Sequence, residues 1–219
     1  MKLPFEKIYC LHILDAKERY DSVIKECEQI ELENEVNFWY TCKKPINLTI
    51  GNNIDTLRTD YYNKKAEINE YTYGTVFDCA YNHYSIIKQA YMRGINSILI
   101  FEDDILFNNI RVLKDIINNI PNDYDVLKFH NHVYDKRNLI VNNCFFELID
   151  NPDKYYHSTL CYALSRKGME AVINEYESNF AAADVVLNNI TSNKDIKFYV
   201  LKLTLFCKPK KFISTIVGK

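Results

Sequence analysis

Three consecutive carboxylates, Glu102, Asp103 and Asp104, stand inside the apolar run ILIFEDDILF, Ile98 to Phe107. Side chains on a strand alternate between faces, so Glu102 and Asp104 would share one face and Asp103 would take the other. Two carboxylates roughly 6–7 Å apart repel by roughly 2–3 kcal/mol at an effective dielectric near 20. Burying either one unpaired adds several kcal/mol. The triplet therefore calls for a compensating group: an Arg or Lys, a set of backbone N–H donors, or a divalent cation. Oxygen-only ligands suit a hard ion, and Mg²⁺ or Mn²⁺ takes one or two carboxylates and completes its shell with water and phosphate. The competing reading is a solvated strand exit that begins a turn, where Asp is common. The apolar flanks favour a site, although such carboxylates also serve nucleases and phosphatases and do not name a reaction.

Other residues of suitable chemistry lie elsewhere. Asp184 follows three alanines and is a candidate general base, because proton transfer from a hydroxyl needs a carboxylate or His within hydrogen-bond reach. It is equally a good helix N-cap. Arg19 is suited to a bidentate phosphate contact, or to a surface pair with Asp15, its i−4 neighbour. His83 has Cys79 at i−4 and Ile87 at i+4, which reads as a core histidine unless it reaches a ligand. His130 and His132 bracket Asn131 without a third ligand at metal spacing, and read as polar loop residues near an acceptor. Tyr61, Tyr62, Tyr71 and Tyr73 read as ordinary packing, or as a lid on a long loop.

These residues need a scaffold. Ile8 to Leu14 reads as a strand, Asp15 to Ile30 as a helix and Val36 to Cys42 as a second strand, the β-α-β opening of a parallel sheet. Lys43 to Tyr73 reads as a long loop with a short helix near Thr59 to Asn69. Val76 to Met92 has helical spacing, with Gly94 where a C-cap would stand. The strand INSILIFEDD follows, then a helix stopped by Pro121, the strand YDVLKFH and an ambiguous stretch, Asn131 to Tyr156, with room for a hairpin. STLCYALS reads as a strand, RKGMEAVINEYES as a helix, AADVVLNNITSN as a short helix and IKFYVLKLTLFC as β. This order predicts an α/β fold: one domain over residues 1–219, with a central, mostly parallel sheet flanked by helices. Ligands bind outside the carboxyl ends of the strands in such sheets, where the triplet falls.

Bulk properties narrow the class. The net charge of −2 gives no basic excess for nucleic acid. The seven cysteines include no C-x-x-C pair and read as reduced core thiols. The N-terminal apolar run is short and broken by Glu6, Lys7 and His12, unlike a signal peptide. No apolar segment reaches the ~20 residues of a membrane span. The expectation is a cytoplasmic protein, with peripheral attachment to a membrane surface left open.

Several segments in order resemble glycosyltransferase family 25, which includes lipooligosaccharide-biosynthesis sugar transferases and collagen galactosyltransferases. KIYCLHILDAKERYDSV is similar to its opening strand and Glu-Arg helix start, FDCAYNHYSIIKQA to its Gly-Cys-x-x-Ser-His helix and ILIFEDDILF to its strand ending in Glu-Asp-Asp. YDVLKF, the Tyr-x-x-Ser-x-x-Gly of CYALSRKGMEAVI, ADVVL and FISTI continue the order to Ile216. The chain departs from the pattern with His12 for Asn, Asp78 for Gly and Asn82 for Ser, and has no His after His157 to complete a metal shell.

The resemblance implies a GT-A, Rossmann-like fold and a metal-dependent hexosyltransferase. Its donor would be a UDP-sugar, galactose or glucose, and its acceptor a glycan or glycoconjugate hydroxyl, with inversion at the anomeric carbon. It further implies Mn²⁺ or Mg²⁺ on Asp104, with Glu102 reaching the metal through water or touching the donor's ribose. Asp103 would hold the sugar or the local backbone. Arg19 and His83 would contact the donor, and Asp184 would act as base. Two other readings stay open: a non-catalytic GT-A-like sugar- or protein-binding module, and a metal-dependent phosphoryl-transfer enzyme.

Overall fold

The computed structural model describes residues 2–13, 16–41, 70–130, 139–148, 158–202 and 206–210. The opening is the expected β-α-β unit: β1 (Lys7–His12), α1 (Lys17–Gln29) and β2 (Val36–Tyr40). Then come α2 (Glu70–Met92), β3 (Ser97–Glu102), β4 (Ile105–Phe107), α3 (Ile110–Asn118), β5 (Val126–Lys128), β6 (Leu139–Ile140) and β7 (Phe145–Glu147). The last elements are β8 (Cys161–Ser165), α4 (Arg166–Ser178), α5 (Ala183–Asn189), a 3₁₀ turn (Ile190–Ser192), β9 (Phe198–Leu201) and β10 (Cys207–Pro209).

Eight strands form one sheet in the order β2-β1-β3-β8-β5-β9-β7-β6. Six of them point the same way; β8 and β7 run against the rest. The result is the mostly parallel α/β sheet expected from the order of elements. The ambiguous stretch does contain a hairpin, β6–β7. The last β-like run divides: β9 joins the main sheet, while β10 pairs with β4 in a separate two-stranded ribbon. The short helix expected near Thr59 to Asn69 lies outside the described residues. The expected loop gives way to helix at Glu70, so Tyr71 and Tyr73 sit on the first turn of α2.

Alternation along the strands divides the core in two. One face carries Tyr9, Leu11, Ile98, Ile100, Tyr162 and Val200, packed with residues of α2, α4 and α5. The other carries Ile8, Cys10, Leu99, Phe101, Ala163 and Leu201, packed with residues of α1 and α3. Gly94 ends α2 at φ 75°. Its N–H donates to the Tyr91 carbonyl, and that of Ile95 to the Ala90 carbonyl, the paired bonds of a left-handed C-terminal cap. All six described cysteines are free thiols, and Cys10, Cys27, Cys161 and Cys207 are buried.

The Ser-x-x-Gly spacing at residues 165–168 has a packing explanation. The Ser165 side chain caps α4 by accepting from the Gly168 N–H at 3.1 Å, and donates to Asp125 Oδ1 at 3.0 Å. The Ser165 N–H donates to the Asp125 carbonyl, and the Lys197 N–H to Asp125 Oδ2. These contacts tie β8, α4, β5 and the entry to β9. A Cβ on Gly168 would lie 1.9 Å from the Asp125 carbonyl oxygen, a backbone contact that cannot swing aside. Gly168→Ala is expected to lower stability by about 1–3 kcal/mol through overpacking. Urea unfolding with an unchanged midpoint would refute this.

Candidate active site

The acidic triplet sits where β3 ends, beside the carboxyl end of β1. Leu11 pairs with Glu102, and the Asp103 N–H donates to the Leu11 carbonyl at 3.1 Å. Glu102 and Asp103 do lie on opposite faces of the sheet. Asp104 departs from the expected alternation because β3 stops at Glu102 and residues 103–104 form a turn into β4. One of its carboxylate oxygens lies 3.8 Å from Arg19 Nη1, towards the Asp103 side.

Asp103 is 2 % exposed and its oxygens are taken up inside the protein. Oδ2 lies 2.7 Å from His12 Nδ1 and accepts the Ile13 N–H at 3.0 Å, and Oδ1 accepts from Arg19 Nη1 at 2.9 Å. The Ile13 N–H is a contact of Asp103 with the local backbone. Arg19 is buried rather than a solvated surface arginine, with Asp103 as its partner; Asp15 lies outside the described residues. His12 closes the bracket, so its departure from the family's Asn has a local use.

Glu102 points to the other face. Its Oε1 accepts from the Thr159 hydroxyl at 2.5 Å and lies 3.7 Å from His83 Nε2, an ion-pair distance beyond a hydrogen bond. Burial works to raise its pKa, but His83, Thr159 and Arg19 outweigh it and hold the carboxyl below its ordinary value. Thr159 is presented by a tight segment. Ser158 has φ 97°, its hydroxyl meets His130 Nδ1 at 2.9 Å, and the Leu160 carbonyl accepts the Glu102 N–H. His130 is thus a buried anchor of this segment, and His132 lies outside the described residues.

Burial, with the Glu102 charge beside it, pushes Asp104 up to about 7, against the pull of Arg19. Its Oδ1 is buried without a hydrogen-bond partner among the described residues, as is His83 Nε2. His83 is fully buried, and its Nδ1 meets the Tyr162 hydroxyl at 2.8 Å.

Asp184 does not cap α5 as an N-cap residue. Ala182 takes that position, and Asp184 lies in the first turn, its Oδ1 accepting the Val185 N–H at 2.9 Å. The helix therefore starts two residues earlier than an Asp184 cap would place it. The Asp184 charge bears on Cys79 of α2 and on Lys128 at the end of β5. Lys128 is fully buried, and burial draws its pKa down to about 7. It pairs in register with Tyr162 and so shares the Glu102 face. Sequence reasoning passed over Lys128, although a lone cation in the apolar strand YDVLKFH is the same signal that exposed the triplet. Cys79, at i−4 of His83, reads from the sequence only as an apolar neighbour.

Carboxylates, a histidine, a lysine and a hydroxyl thus converge at the carboxyl ends of β1, β3 and β5, a ligand-binding position in open α/β sheets. Residues 5–187 match the sequence profile of Glycosyltransferase family 25 (LPS biosynthesis protein). The chain belongs to glycosyltransferase family 25. Membership supports glycosyl transfer as its activity, with donor and acceptor substrates. Among solved structures, it is similar to a glycosyltransferase involved in the glycosylation of the major capsid of PBCV-1. That match has a TM-score of 0.45 and 14 % identity, over 89 % of this chain and 81 % of that one. An inositol-1-phosphate CTP transferase from T. maritima matches with a TM-score of 0.42 and 13 % identity, over 91 % and 86 % of the two chains. A cytidylyltransferase from Leptospira borgpetersenii serovar Hardjo-bovis matches with a TM-score of 0.39 and 9 % identity, over 88 % and 73 %. None of the curated proteins compared matches the family 25 chain. Among its described residues no helix is long and apolar enough to cross a membrane.

Proposed function

We propose that this family 25 chain is a metal-dependent hexosyltransferase, one domain over its whole length. It would move galactose or glucose from a UDP-sugar to a glycan or glycoconjugate hydroxyl, with inversion. The observation that carries the reading is Asp104 Oδ1, a buried carboxylate oxygen with no hydrogen-bond partner among the described residues, beside Glu102 at a ligand-binding strand end. An orphaned anionic oxygen of this kind fits a hard cation.

Asp104 would hold Mn²⁺ or Mg²⁺ directly, with Glu102 acting through water or on the donor's ribose. When bound, such an ion neutralises the diphosphate of the departing nucleotide. Arg19, fixed by Asp103, adds positive charge beside Asp104 and is the candidate for a donor phosphate contact. His83 is assigned to the donor side. Asp184 would take the proton of the acceptor hydroxyl; one of its oxygens already accepts a backbone N–H, which orients the carboxylate. We place the protein in the cytoplasm, with peripheral contact to a membrane surface when the acceptor is lipid-linked, and without a nucleic-acid partner.

Thermal unfolding with UDP, MnCl₂ or both tests this reading. At about 100 times Kd the pair would stabilise by about 2.7 kcal/mol, a rise in Tm of about 5–10 °C for a chain of this size. No response to nucleotide would overturn the proposal. Slow hydrolysis of one nucleotide sugar from a panel would identify the sugar and exclude a binding-only module.

A further inference from the structure

Cys79 and His83 stand one turn apart on α2 and share a face of that helix. Glu102 meets them from the end of β3. One ligand atom from each residue lies within 4.8 Å of the other two. His83 is fully buried; Tyr162 holds its Nδ1, and its Nε2 faces Glu102 Oε1 from 3.7 Å with no hydrogen-bond partner among the described residues. A histidine fixed through one nitrogen and presenting the other is the usual arrangement of a metal ligand. Burial, then the charges of Glu102, Asp184 and Asp104, raise the Cys79 thiol well above its ordinary value; a dication offsets those charges and displaces the thiol proton as it binds.

We infer that Cys79, His83 and Glu102 form a site for a borderline-soft divalent cation, with Zn²⁺ the ion that this sulfur, nitrogen and oxygen set selects. Tetrahedral ligands at about 2.0–2.3 Å from Zn²⁺ lie roughly 3.3–3.8 Å apart. The His83–Glu102 pair, at 3.7 Å, is a few tenths of an ångström wider than nitrogen and oxygen ligands require, and the Cys79 ligand atom, within 4.8 Å of both, has to close by about an ångström or less. The fourth position goes to water or to a substrate oxygen. The site goes beyond the oxygen-ligated ion proposed at Asp104 and does not depend on it. The two share Glu102, so Zn²⁺ would compete for that carboxylate and inhibit transfer.

Co²⁺ added to the metal-free full-length protein is the test, because thiolate coordination gives a near-ultraviolet charge-transfer band and four-coordination gives intense visible bands. One equivalent is expected to produce both, and Zn²⁺ to displace it. Cys79→Ser should remove the charge-transfer band, and His83→Gln should weaken Zn²⁺ binding at least tenfold. Circular dichroism and melting without metal establish that each variant is folded. A folded wild-type protein with no charge-transfer band would overturn the site. So would a band of equal intensity in Cys79→Ser, or unchanged Zn²⁺ affinity in His83→Gln. A UDP–Mn²⁺ response in the absence of Zn²⁺ is read separately, so either proposal can fail alone.

Discussion

Asp103→Ala is expected to lower the melting temperature by about 6–20 °C. The carboxylate is buried and engages His12, the Ile13 N–H and Arg19 together. Truncation leaves a part-buried N–H and a buried imidazole without this acceptor, and removes the anion that faces a buried guanidinium. Breaking a buried pair from one side costs about 3–5 kcal/mol, and each kcal/mol moves Tm by about 2–4 °C in a chain of this size. Asp103→Asn keeps the shape and one acceptor oxygen, so it should lose less. A double-mutant cycle of Asp103→Asn with Arg19→Met should return a coupling above about 1 kcal/mol. If Asp103→Ala melts within 2 °C of the wild type, roughly the effect of 1 kcal/mol or less, the bracket is not a principal constraint. The same bracket sets the turn that carries Asp104, so the loss should extend from stability to ligand binding.

Part of this site was legible because strand periodicity is local. The split of Glu102 from Asp103 follows from alternation alone, and the strand's own apolar residues marked it as buried. Asp104 escaped that logic because β3 ends one residue before Asp103, and a turn does not keep a period of two. The direction of β8 was also beyond reach: its apolar pattern reads the same in either direction, while its antiparallel place between β3 and β5 depends on tertiary pairing. Ser165 and Gly168 were visible as a motif, but its meaning lies in the approach of Gly168 to the Asp125 carbonyl, a contact 43 residues away in sequence. His83 and Cys79 were read as apolar neighbours, since burial and ligation produce the same helical spacing. Only His83 Nε2, without a hydrogen-bond partner among the described residues, separates the two readings.

Asp104→Asn is expected to separate stability from function. In the folded chain burial, and then the Glu102 charge, push this carboxyl from its ordinary 3.8 up to about 7. Between those values the folded state binds more protons than the unfolded state, so stability falls as pH rises from about 4 to about 7, and the deficit is complete above 7. Asparagine carries no charge and escapes the deficit. The variant should therefore match the wild type near pH 4 and exceed it at pH 8 by about 1–3 kcal/mol, a discounted reading of a shift of this size. Stabilisation by UDP with Mn²⁺ should vanish in the same variant, and transfer should fall at least about 10²-fold, the scale of losing one preorganised electrostatic contact. Melting curves at pH 4 and pH 8, with and without ligand, measure both arms. A variant that keeps its UDP–Mn²⁺ response removes Asp104 from the ligand set. One that loses stability at pH 8 shows that the folded carboxylate is better compensated than its burial and its neighbours imply. Together, a gain in unliganded stability and a loss of ligand response would mark Asp104 as a residue whose burial is tolerated for the sake of the cation it binds.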